Sequence, residues 1–333
     1  MQARPLTIWA VSDGRAGIEN QVLGLAEAVA RITPATVLPR RIHYANLFDR
    51  LPTALKLWPD QMLRADSDSL AEPYPDIWIA AGRATIPHSV RMRERSGGKT
   101  LVVQLQDPKH NLDAFDLVIA PEHDHIAGPN TLCLIGSTNR ITPDVLTTAL
   151  AAFQPRLAPL QRPFVTVLIG GNSKAYRLDV EHARLMAAEI KSAITAARGS
   201  LLLTVSRRTP DDARTIIVET LKDLPGIIHD GLSQTENPYF AFLAAADQFL
   251  VTEDSVNMAT EAASTGKPVQ IVSLERRTLG SSEKFEDFHE TLRARGVSHP
   301  FNGQLAGEAY PPLNETERAA QHVLEVYAQK FPS

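Results

Sequence analysis

The stretch from Asn237 to Val269, NPYFAFLAAADQFLVTEDSVNMATEAASTGKPV, decides how the rest of the chain is read. Ala241 to Ala246 has the small-residue pattern of a packed helix, and Gln248 to Val251 is a short apolar strand. Thr252-Glu253-Asp254-Ser255 is a polar turn, in which Asp254 or Ser255 is a natural N-cap for the next helix. That helix reaches Ser264 and stops at Gly266. A helix opening above a strand aims unsatisfied backbone N–H groups, and the positive end of its dipole, at any anion there. Glu261 lies inside this helix, where its carboxylate can accept both hydroxyls of a ribose. A capped surface helix with a solvated Glu is the plainer reading of the same residues. Gly266-Lys267-Pro268-Val269 then opens another strand.

Working outward, the same strand-then-glycine rhythm recurs. Thr7 to Val11 is apolar and ends in Ser12-Asp13-Gly14-Arg15-Ala16-Gly17, and a helical stripe follows at Val22, Leu23, Leu25, Ala26, Val29 and Ala30. Asp76 to Ala81 leads into Gly82-Arg83, while Thr100 to Gln104 and Asp116 to Ala120 are further strands. Phe164 to Ile169 leads into Gly170-Gly171-Asn172-Ser173, a helix spans roughly Asp179 to Ala197, and Leu201 to Val205 ends at Ser206-Arg207-Arg208. Near-continuous apolar strands alternating with helices predict α/β architecture, with parallel sheets covered on both faces. Pro155, Pro159 and Pro163 punctuate residues 151–163, which read as a linker. The expected domains are therefore 1–155 and 163–312, with a terminal helix over 313–333 that crosses back to the first. Asn314 and Glu317 have the spacing of a capping box for that helix.

Bulk properties narrow the function. With 333 residues, 44% hydrophobic and 22% charged, the chain is long enough for two ordinary cores. A formal net charge of −4 carries no basic footprint, so no nucleic-acid partner is expected. The single cysteine, Cys133, lies in an apolar run and reads as an inert thiol. The apolar start, Leu6 to Val11, is too short for a secretory signal. No segment approaches the roughly 18 apolar residues of a membrane span. A cytoplasmic protein is expected, with any contact to the inner membrane peripheral.

Ordered as helix, Ala-Asp, strand, polar turn with Ser, Glu-bearing helix and Gly-Lys-Pro, residues 237–269 resemble the donor-binding signature of GT-B glycosyltransferases. The segments SDGRAGIENQVLGLAEA (12–28), AGRATIP (81–87), QLQDPKHNLDAFDLVIAPEHD (104–124) and IGGNSKAYRL (169–178) extend the resemblance over nearly the whole chain. Together they resemble the mitochondrial fission (elongated-mitochondria, ELM1-like) family, whose bacterial members are classed with glycosyltransferases. The resemblance implies a GT-B fold, two Rossmann-like doubly wound domains facing a cleft. It also implies a nucleotide-sugar donor on the C-terminal half and a glycan or lipid acceptor of the cell envelope. By it, Ser255 and nearby amides contact the diphosphate and Glu261 the ribose, with Thr252, Asp254, Met258 and Lys267 in the same donor set. No bound cofactor or metal is expected, because helix ends and basic residues stabilise the leaving diphosphate. Two rivals stay open: a non-catalytic adaptor on the same fold, and a sugar-nucleotide epimerase.

The remaining candidates lie at strand ends. Gly170, Gly171 and Asn172 offer a close-approach turn for phosphate or nucleoside, and Ser206, Arg207 and Arg208 bracket the same ligand or are solvated. In the first half, Asp13 is a general base for the acceptor hydroxyl or only a turn residue, and Arg15 balances the diphosphate. Arg83 pairs an anion or is an exposed helix-start residue. Gly14, Gly17, Asn20, Gly82 and Asp107 complete the acceptor side, with His110 in reserve. Asp66-Ser67-Asp68 mimics a metal-binding Asp-x-Asp, and Glu122-His123-Asp124-His125 a metal cluster; both read as polar loops.

Overall fold

A computed structural model describes residues 4–45, 48, 51, 56, 58–232, 236–277 and 282–332. It divides into two compact units, Met1–Arg140 with Asn314–Ser333, and Ile141–Leu313.

In the first unit, β1 (Leu6–Ser12), α1 (Ala16–Ile32), β2 (Ala35–Arg41), β3 (Ile77–Ala81), α2 (Ile86–Arg95), β4 (Leu101–Leu105), β5 (Leu117–Pro121) and β6 (Thr131–Leu134) follow one another. The strands form one parallel sheet in the order β2-β1-β3-β4-β5-β6. Alternation along β1 explains its unbroken apolar run. Ile8 and Ala10 pack with Val22, Leu25 and Val29 of α1, while Trp9 and Val11 pack with Trp78 and Met92 on the other face.

The second unit begins with α3 (Pro143–Leu157), followed by β7 (Phe164–Ile169), β8 (Tyr176–Arg177), α4 (Val180–Ala196), β9 (Ser200–Val205), α5 (Asp211–Leu221) and β10 (Gly226–His229). Next come α6 (Tyr239–Ala245), β11 (Gln248–Thr252), α7 (Val256–Ala263), β12 (Val269–Val272), β13 (Glu275–Arg276), α8 (Glu283–Ala294) and β14 (Ser298–Pro300). Its parallel sheet has the order β10-β9-β7-β11-β12-β14, the strand order of a dinucleotide-binding Rossmann sheet. A small antiparallel pair, β8 with β13, had no sequence signal. The chain ends in α9 (Glu315–Lys330), which returns to the first unit: Ala319, Ala320 and Val323 pack with Ile8, Val22 and Ile77.

Two expectations are corrected. The unit boundary falls after Arg140 instead of near residue 155, because α3 packs into the second core. Phe153 and Leu157 bury against Phe164, Leu202 and Phe242, and the Phe153 and Phe242 rings meet edge-on with centroids 6.4 Å apart. Pro155 is accommodated in the last turn of α3, and Thr142 caps the start by accepting from the Val145 N–H at 3.2 Å. The Asn314/Glu317 capping box does not form. Glu315 and Thr316 instead accept from the backbone N–H groups of Ile135 (2.9 Å) and Asn139 (3.0 Å), tying the helix start to the first unit.

Phe242 is fully buried where α3, α6 and the second sheet meet. Phe242→Ala is expected to cost the second unit about 3–5 kcal/mol, read as a lower urea midpoint at unchanged m.

Candidate functional site

Open parallel sheets bind ligands beyond the carboxyl ends of their strands, where the strand order reverses. In the second unit that point lies between β7 and β11, so the turns after these strands, Gly170-Gly171 and Glu253-Asp254-Ser255, come together. The Asp254 carboxylate is fully buried between them. It accepts from the Gly171 N–H at 3.0 Å, the Thr252 hydroxyl at 2.7 Å and the Arg208 guanidinium at 2.9 Å. Thr252 Oγ1 also accepts from the Gly170 N–H at 2.7 Å, and the Thr209 hydroxyl donates to the Gly170 carbonyl. Burial pushes the Asp254 carboxyl above its ordinary range, and Arg208, Thr252 and the Gly171 amide pull it back.

This latch changes the roles read from sequence. Gly170 is required by the protein itself: a Cβ there would lie 2.1 Å from Asp254 Oδ1. Gly171 is equally confined, with 2.4 Å to the Arg208 carbonyl. Thr252 and Asp254 direct their side-chain oxygens to these turns. Asn172 shapes the loop into β8, its Oδ1 accepting from the Leu178 N–H at 2.8 Å. Ser206 accepts from the Arg208 N–H at 3.2 Å, Arg207 is exposed, and the Arg208 side chain is 44% exposed despite its bond to Asp254.

Ser255 is the N-cap of α7, its hydroxyl oxygen accepting from the Met258 N–H at 3.4 Å. The positive end of α7 thus lies at the carboxyl edge of β11. Glu261, on the same helix, is buried, and the Tyr239 hydroxyl donates to its Oε2. Desolvation pushes the Glu261 carboxyl up to about 7, with Tyr239 opposing the shift. Tyr239, the first residue of α6, was missed because nothing in a lone Tyr signals a carboxylate partner 22 residues away. Lys267 is corrected outright. It precedes β12, at the opposite edge of the sheet from the switch point. Its ammonium donates to the carbonyls of Leu243 (3.3 Å) and Ala244 (2.6 Å), capping the end of α6, and burial pulls its pKa down to about 8.

In the first unit the order reverses between β1 and β3. Asp13 sits in the turn after β1: Oδ1 accepts from the Arg15 N–H at 3.1 Å, and Oδ2 from Arg15 Nε at 2.8 Å and from its terminal nitrogen. Gly82, at φ +86°, closes on it; a Cβ there would lie 3.6 Å from Asp13 Oδ2. The structure therefore gathers Asp13, Gly14, Arg15 and Gly82, with Arg83 exposed beside them. Gly17 is exposed in the first turn of α1, and Asn20 is half-buried on the same helix. Asp107, beyond β4, accepts from the backbone N–H of Lys109 at 2.8 Å and from its ammonium. Of the Asp-x-Asp mimic, Asp66 pairs with Arg64 at 2.7 Å and Asp68 accepts from the Arg41 N–H at 2.6 Å.

Two six-stranded parallel α/β units in tandem make the GT-B fold, which the chain shares with solved UDP-GlcNAc 2-epimerases. Among solved structures, the chain is similar to the UDP-GlcNAc 2-epimerase of Methanocaldococcus jannaschii in complex with UDP-GlcNAc and UDP. The TM-score is 0.51 at 11% identity, covering 98% of this chain and 100% of the other. The sequence profile of Mitochondrial fission ELM1 matches residues 16–327, and the chain belongs to that family. It is 34% identical to the mitochondrial fission protein ELM1 of Arabidopsis thaliana over 278 residues, 75% of this chain and 63% of the plant protein. It is also 26% identical to the uncharacterized protein RP120 of Rickettsia prowazekii (strain Madrid E), covering 95% of this chain and 97% of the relative. Among the described residues no helix is long and apolar enough to cross a membrane.

Two outcomes test this geometry. Gly170→Ala is expected to lower the melting temperature by forcing apart Asp254 and the β7 turn, at a cost of about 1–3 kcal/mol. For Glu261 the folded carboxyl titrates above its unfolded value, so the stability associated with its protonation is present in acid and lost as pH rises through about 7. Glu261→Gln should then raise the melting temperature of the unliganded protein at pH 8 and change it little at pH 5.

Proposed function

We propose that the chain transfers a sugar from a nucleotide sugar, with the nucleotide held at the carboxyl edge of the second sheet. The observation that carries this reading is Glu261: a carboxylate buried within α7, whose capped positive end meets the strand edge. A ribose diol suits such a carboxylate, and a diphosphate suits the start of α7 together with Arg207 and Arg208. Preorganised amides and guanidinium groups of this kind stabilise the charge that develops on a leaving nucleoside diphosphate. The acceptor hydroxyl is assigned to the carboxyl edge of the first sheet, around Asp13, Arg15 and Arg83.

The likeness to a UDP-GlcNAc 2-epimerase supports a second reading, in which the same nucleotide site serves epimerisation. Both need nucleotide binding, and product analysis separates them. An adaptor that keeps the fold needs neither.

A thermal-shift series with UDP, GDP, ADP, CMP and dTDP tests the site. At one hundred times its dissociation constant, a nucleotide binding only the folded state stabilises it by about 2.7 kcal/mol. Because the ionised Glu261 is the acceptor of the diol, binding should tighten as pH rises through about 7 and level off above it. Glu261→Ala should abolish the shift, and a pH-independent shift kept by Glu261→Ala would reject the ribose assignment.

A further inference from the structure

We propose that His43 takes the proton from the acceptor hydroxyl, a role the motif reading had left to Asp13. The proposal rests on the glycosyl-transfer reading above.

The parallel register of β1 and β2 pairs Ser12 with Arg41, and the Ile42 N–H donates to the Ser12 carbonyl at 2.9 Å. Residue 43 therefore emerges beside the Asp13-Gly14-Arg15 turn, at the carboxyl edge of the sheet. Its backbone is clamped there. The His43 N–H donates to Ser67 Oγ at 3.0 Å, and its carbonyl accepts from the Ser67 hydroxyl at 3.0 Å and the Arg64 N–H at 2.8 Å. The imidazole lies against the bare face of Gly14. A Cβ on Gly14 would sit 3.2 Å from His43 Cε1 and 3.8 Å from Nε2. Gly14 has φ +75°, so both its conformation and the ring above it select against a side chain.

Asp13 is a poor proton acceptor by comparison, since Arg15 engages both of its oxygens. The ring of His43 is half-buried and hydrogen-bonds no described residue, so its nitrogens remain available. Other histidines of this unit are committed elsewhere. His88 is fully buried with Nε2 3.0 Å from the Tyr44 hydroxyl, and His110 packs edge-on against Phe115. A ring whose backbone is held in place, which lies against Gly14 and whose nitrogens are open, is positioned for proton transfer.

The step balances without a co-reactant. An imidazole nitrogen of His43 accepts the proton as the acceptor oxygen bonds to the anomeric carbon. The bond from that carbon to phosphate oxygen breaks, and its electron pair leaves on the nucleoside diphosphate.

The test follows nucleoside diphosphate release from UDP-, GDP-, ADP- and dTDP-linked glucose and N-acetylglucosamine, with water as acceptor. Wild type is compared with His43→Ala, His43→Gln and His322→Ala, the last an exposed control on α9. Loss of a general base should lower kcat by about 100-fold or more at unchanged KM for the donor. Melting temperature and nucleotide-induced shift should stay at wild-type values in both His43 variants. Free imidazole should restore part of the rate to His43→Ala and none to His43→Gln, whose side chain fills the space; His322→Ala should turn over as wild type. A His43→Ala enzyme at the wild-type rate overturns the proposal and leaves the transferase reading intact. A slow variant that imidazole does not rescue assigns His43 a structural role and also overturns it. Wild-type protein that binds a nucleotide but releases none from any of these sugars overturns the transferase reading with it.

Discussion

The Asp254 carboxylate is the constraint on which the carboxyl edge of the second unit's sheet depends. Its partners come from the turns after three strands: Gly171 beyond β7, Arg208 beyond β9, and Thr252 at the end of β11. A buried carboxylate left without partners costs several kcal/mol, so the three turns are held together wherever Asp254 stays ionised. Gly170 follows from the same requirement, since any side chain there would occupy the place of the carboxylate. Once these groups satisfy one another, what remains at the edge is a smaller set: Arg207, the outer face of Arg208 and the start of α7.

The first unit is built more lightly at the corresponding edge. Asp13 is satisfied within its own turn by Arg15, and Glu19 pairs with Arg41 at 2.6 Å on the surface. Exposed pairs of this kind contribute little to stability. Their worth lies in orientation, because they leave Arg83 and the ring of His43 at the edge while Gly14 and Gly82 keep the backbone close.

Several residues marked in the sequence as ligand contacts turned out to be used by the protein itself, and the reason is common to them. A polar residue at a strand end is visible in the sequence, but its partner is not. Asp254 meets Gly171, 83 residues away, only because β7 and β11 are neighbours in the sheet. Lys267 looked like part of a binding motif because Gly-Lys-Pro follows the Glu-bearing helix. Strand direction places it at the other edge, where it caps α6. His43 carried no signal at all, being one of ten histidines and outside every glycine-rich turn.

Local order was legible from the residues themselves. The apolar strands, the glycine turns after them, the two α/β halves and the Ser255 cap all follow from short-range periodicity, steric limits on φ, and hydrogen bonds within a few residues. The resemblance carried in the motifs added the family and the GT-B fold. Tertiary structure alone decided that α3 belongs to the second core. It alone joined Asp254 to the glycine turn, Tyr239 to Glu261, and the ring of His43 to Gly14. Those pairings depend on which loops the sheet order brings side by side. Buried polar groups must then find partners among whatever the fold delivers, whatever their separation along the chain.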